Sequence, residues 1–132
     1  MKQRAALLFV FLLLLSSIGE GVERREDSFT VIRKRAHDVL TKHCGSCHLP
    51  GLLTTNQNAL KIFNLGTDSW FLNVDEKRMQ AMLGRLKSRE SMSQIELLHL
   101  SPKGGPSPVA PTSEEIQDFS YFVSSWILNN PN

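Results

Sequence analysis

The chain has 132 residues, with 15 Lys and Arg against 13 Asp and Glu and a formal net charge of +2. That length is one domain's worth. The near balance of charge gives no argument for a nucleic-acid partner, which calls for a clustered positive surface.

The chain starts with a secretion signature. Lys2 and Arg4 are followed by an uncharged run from Ala5 to Leu15 (AALLFVFLLLL), and Ser16, Ser17 and Gly19 supply small residues for a peptidase. This order predicts a signal peptide over residues 1–21 and a mature domain over 22–132. The apolar run is short of the ~20 residues that span a bilayer, so no stable membrane span is expected after cleavage. An uncleaved N-terminal anchor is the alternative. The expected location is periplasmic or secreted, an oxidising environment.

Next comes a helical pattern. Ile32, Ala36, Val39, Leu40 and His43 recur on one face of a helix. Asp27 and Ser28 are candidate N-caps, which predicts a helix over 28–43. The basic run Arg33-Lys34-Arg35 reads as a solvated helix face. His37 and His43 are expected at the surface.

The helix leads into Cys44-Gly45-Ser46-Cys47-His48, which holds the only two cysteines of the chain. A lone pair in a secreted protein most often forms a disulfide. A redox disulfide of the thioredoxin type needs a βαβ pattern, and none is visible. A zinc site needs four ligands, and zinc ribbons pair one CxxC with another. The remaining reading is C-x-x-C-H, the attachment motif for c-type haem. Each thiol adds across one haem vinyl group to leave a thioether, and the next residue's imidazole reaches the iron. Such attachment takes place outside the cytoplasm in bacteria, in keeping with a signal peptide.

The middle of the chain carries Asn58-Ala-Leu-Lys-Ile-Phe-Asn-Leu65 and then Trp70. A helix is predicted from about Asp75 to Ser88, with Asn73 and Glu76 as a capping box. Met79, Met82, Leu83 and Leu86 form its apolar stripe. Gly104 to Pro108 reads as a loop. Thr112 and Glu115 form a second capping box. Ile116, Phe119, Phe122, Val123, Trp126 and Ile127 follow at helical spacing until Asn129-Asn130-Pro131 stops the helix.

Taken together, the two terminal helices and CxxCH resemble the class I cytochrome c family, over roughly residues 28–128. That family has a small residue eight positions before the first motif cysteine and a large apolar one four before it. Ala36 and Leu40 stand there, where glycine and phenylalanine are usual. Phe119 and Phe122 match the apolar and aromatic positions of the family's C-terminal helix. The run N-x-x-A-L-x-x-F-x-L followed by a tryptophan is similar to a group of small bacterial c-type cytochromes. The resemblance implies an all-α, cytochrome c-like fold of short helices around one covalently bound haem c. It also implies that Ala36 lies where the terminal helices cross, against Phe119 or Phe122.

The same resemblance implies electron transfer with redox partner proteins. Cys44 and Cys47 would hold the haem, and His48 would ligate its iron. The family places a methionine opposite, often before proline, and this chain has no Met-Pro. Met79 and Met82 are committed to a helical stripe, which leaves Met92, in a loop after the helix, as the first choice for sixth ligand. Its plainer role is a gap-filling hydrophobe. His99 is the second choice, and an absent protein ligand is the third. Trp70 is either a buried aromatic anchor or a donor to a haem propionate. No Ser-His-Asp spacing, phosphate loop or acidic metal cluster is visible, so a carrier and not an enzyme is expected. Two alternatives remain. One is a haem-based ligand-binding or redox-sensor protein with an open or displaceable sixth site. The other is a haem-free redox or zinc protein using the same motif.

Overall fold

In the computed structural model the backbone is described for residues 19–130 and the side chains from Phe29 onward. The expected leader, residues 1–21, therefore lies almost wholly outside the described residues. Five helices and no strand occur among them: α1 (Gly19–His48), α2 (Gln57–Ile62), α3 (Glu76–Glu90), α4 (Gln94–Leu100) and α5 (Ser113–Asn129). The all-α expectation holds over this span. The chain divides into two compact units, one ending at Val31 and one covering Ile32–Asn132. The described part of the first unit is the helical stretch from Gly19.

Helix α1 differs from expectation at both ends. Asp27 and Ser28, the expected N-caps, lie inside it and not at its start. No Gly or Pro interrupts the sequence between Gly21 and Gly45, so nothing forces a break there. At the other end the helix continues through the cysteine motif to His48. It stops where Pro50 disfavours helical geometry at Leu49 and Gly51 takes a left-handed φ of 82°.

The core of the second unit is built from one face of each of four helices, with α2 adding no buried residue. Helix α1 gives Ala36, Val39 and Leu40, α3 gives Met79, Met82, Leu83 and Leu86, and α4 gives Leu97. Helix α5 gives Ile116, Phe119, Phe122 and Val123. Both predicted stripes are thus buried, with Trp126 and Ile127 only half-buried. Helix α3 packs on α5. Helix α1 is tied to α5 by Arg35–Asp118 at 3.5 Å and by Lys42 and His43 on Glu115 at 2.6 and 3.0 Å. Ala36, Phe119 and Phe122 are all fully buried, at 0% exposure. Each such phenylalanine contributes about 1.5–3 kcal/mol by leaving water.

Between α2 and α3, Phe63, Leu65, Trp70, Phe71 and Val74 enter the same core. Trp70, Phe71 and Phe122 form an aromatic cluster with ring centroids 5.2–5.7 Å apart, in the range where tilted and edge contacts are favourable. Buried Val74 fixes where α3 starts. The N-cap is Asp75, whose carboxylate accepts from Arg78 N–H at 2.7 Å, and not the expected Asn73. Val74 and Met79, both buried, occupy the two positions of a hydrophobic staple around that cap. Helices α4 and α5 each carry a complete capping box, Ser93 with Glu96 and Thr112 with Glu115, the second as expected.

Candidate functional site

Cys44, Cys47 and His48 lie on the last turns of α1. Cys44 and Cys47 are three residues apart and so project from the same side of the helix. Both cysteines are free and half-buried. A Cβ at Gly45, between them, would lie 3.0 Å from Leu49 Cδ1, the end of a flexible side chain.

A helix C-terminus leaves carbonyls without partners, and here other segments supply the donors. Asn56 N–H donates to the Cys47 carbonyl at 3.1 Å, and Leu65 N–H donates to that of His48 at 3.0 Å. The Thr55 hydroxyl donates to the Leu49 carbonyl at 2.7 Å. Arg89 Nη1, from α3, donates to the His43 carbonyl at 3.1 Å. The motif is held rigidly by chain that follows it.

His48 is fixed most closely. Its Nδ1 lies 3.0 Å from the Phe63 carbonyl oxygen, and its ring stacks on the Phe63 ring at 3.6 Å and 8°. A carbonyl only accepts, so Nδ1 carries the proton. Burial lowers the His48 pKa, against the upward pull of the Phe63 and Ala59 carbonyls. The neutral ring then keeps a lone pair on Nε2. Gly66 makes this clamp possible. A Cβ at that position would lie 2.6 Å from Pro50 Cγ, so glycine lets the 63–66 segment approach the end of the motif.

Two histidines expected at the surface are not there. His37 is half-buried, and its Nε2 donates to the Leu65 carbonyl at 2.8 Å. The His43 side chain is 2% exposed and bonds to Glu115 through Nε2. Burial pushes the Glu115 carboxyl up, but hydrogen bonds from Lys42, the Thr112 backbone and His43 outweigh it and hold the pKa at about 2. Burial pushes the Cys44 thiol up as well, while the Arg89 and Arg85 charges pull it down.

Trp70 is 3% exposed, and its indole Nε1–H is buried without a hydrogen-bond partner. Met92 is half-buried in the short connection between α3 and α4, where its N–H donates to the Arg89 carbonyl at 3.2 Å. His99 is exposed in the last turn of α4. A cavity of about 140 Å³ lies against α1, with Gly45, Leu49, Arg89, Leu97, Pro108 and Val109 in its lining. Sequence reasoning placed Phe63 and Leu65 in the middle run without assigning them this role, and passed over Gly66 and Arg89. Leu65 acts through its backbone N–H, and Phe63 through its carbonyl as well as its ring; backbone roles leave no trace in residue type.

Among the described residues no group of three or more His, Cys, Asp or Glu is gathered so as to hold a metal ion. None of the described helices is long and apolar enough to cross a membrane. Compared with protein-family models, with curated proteins and with solved structures, the chain matches none at a significant level.

Proposed function

We propose that this protein is a monohaem c-type cytochrome with a class I-like fold, an electron-transfer carrier working outside the cytoplasm. The observation that carries the reading is the hydrogen bond from His48 Nδ1–H to the Phe63 carbonyl. It fixes the tautomer that leaves Nε2 free for a metal, on the residue directly after two unpaired thiols. Metal-bound imidazoles commonly donate their other N–H in this way, which orients the ring and makes it a better ligand.

The residues fit a covalently held haem. Cys44 and Cys47 would hold it as thioethers, and His48 would ligate its iron. Met92 would be the sixth ligand. The buried indole N–H of Trp70 needs an acceptor, and a haem propionate is one. A tetrahedral zinc site needs four protein ligands, and no such group is gathered among the described residues. A haem iron needs only one imidazole from the motif.

A haem bound there supplies an iron that takes up and releases one electron, at a potential set by its ligands and surroundings. The chain does the rest. Stacking on Phe63 prevents the His48 ring from rotating. The Leu65 N–H and the Asn56 N–H hold the backbone of the motif. A neutral thioether from Met92 would favour the reduced metal. Donor and acceptor are redox proteins.

A second reading has one observation in its favour. The segment 101–111 between α4 and α5 contains neither Met nor His, and His99 is exposed. If Met92 does not reach the iron, the sixth position is open and the protein is a haem-based ligand-binding or sensor protein. Absorption spectra separate the two. For the carrier, the oxidised protein shows the far-red methionine–iron band, which Met92→Ala abolishes and His99→Ala retains. A wild type without that band, whose reduced form binds carbon monoxide, favours the sensor. A pyridine haemochrome spectrum without haem on the purified protein contradicts both.

A further inference from the structure

The C-terminal part of α3 brings a cation to the motif. Arg89 Nη1 donates to the carbonyl of His43, the residue directly before Cys44. Its side chain is half-buried and lines the cavity beside Gly45 and Ser46. Among the described residues no carboxylate forms an ion pair with it. Two carboxylates linked to this region have other partners. Glu115 is held by Lys42 and His43, and Glu90 by the Ser113 hydroxyl. Arg85, one turn back on α3, is exposed. The field of both arginines reaches Cys44, where each opposes the larger effect of burial.

We propose, building on the haem reading above, that the unpaired charge of Arg89 beside Cys44 raises the midpoint potential of the haem attached there. Reduction adds one electron, moves no proton and removes one unit of positive charge from the iron. A fixed cation in a partly buried setting stabilises that reduced state and is poorly screened by salt. Met92 and His48 would set the class of potential, and Arg89 would shift it upward within that class.

The test is a redox titration of the purified, haem-loaded full chain, compared across wild type, Arg89→Gln, Arg89→Lys and Arg85→Gln. Arg89→Gln is expected to lower the midpoint potential, and Arg89→Lys to stay close to wild type. Arg85→Gln is expected to lower it by less, because that charge is exposed. Should Arg89→Gln fail to accumulate, Arg89→Met keeps the packed stem and carries the same expectation. An unchanged potential in the neutral variants overturns the inference. So does an equal fall in Arg89→Lys, which would assign the effect to the lost hydrogen bond on His43. A pyridine haemochrome spectrum of each sample keeps the two claims apart. Haem present with an unmoved potential sinks only the role of Arg89, whereas a wild type without haem overturns the cytochrome reading and this inference with it.

Discussion

Glu115 is the residue through which α5 grips the turn of α1 before the motif. One carboxylate accepts from Lys42, from His43 and from the Thr112 backbone N–H. Its pKa stands at about 2, below the ordinary 4.5. A carboxyl depressed by folding stabilises the fold fully above its unfolded pKa, and that contribution is lost as the pH falls through the folded one. The advantage of wild type over Glu115→Gln in thermal midpoint should thus be full above about pH 4.5 and disappear towards about pH 2. A difference that stays constant over this window would show that the carboxylate charge is not what matters. Trp70 gives a second prediction at this scale. A buried donor without an acceptor costs roughly 1–3 kcal/mol. Trp70→Phe should leave the haem-free chain as stable as wild type or nearly so, and should lower the denaturation midpoint of the haem-loaded chain. Equal losses in both forms would make Trp70 a packing residue and nothing more.

The elements succeed or fail by how closely they approach. Ala36 on α1 is fully buried, as are Phe119 and Phe122 on α5, and the expected crossing of the two helices puts them against one another. Ala36→Phe overpacks that space and should cost roughly 1–3 kcal/mol, read as a lower thermal midpoint. An unchanged midpoint would mean that the helices do not cross at this residue. Gly66 is the matching case in the loop that clamps His48. A methyl group there meets the Pro50 ring, so Gly66→Ala should loosen the 63–66 segment at a similar cost. Amide exchange at Leu65, whose N–H holds the His48 carbonyl, should speed up in that variant; an unaltered rate would show that the loop adapts without releasing the motif. What sequence could show at this scale was local. The stripes of α3 and α5 and the Thr112–Glu115 box are spelled by neighbours in the chain. Asn73 and Asp75 both suit a cap, and only the burial of Val74 decides between them. The burial of His37 and His43 depends on partners 28 and 72 residues away, beyond what local periodicity can show.

At the scale of the molecule, the helices and the loop after the motif serve a single arrangement. Two free thiols and a neutral imidazole share the end of α1, and backbone groups of Asn56, Phe63 and Leu65 hold that end in place. The motif itself was legible from five letters. The carbonyl that fixes the His48 tautomer was not, because any residue at position 63 would carry one. The measurement that tests the central claim most directly is the intact mass of the chain, produced with a haem-attachment system and recovered from outside the cytoplasm. The account predicts the mass of one haem added to the chain, surviving denaturation and absent when Cys44 and Cys47 are both changed to Ala. An unmodified mass, from cells in which a control c-type cytochrome matures, would contradict it.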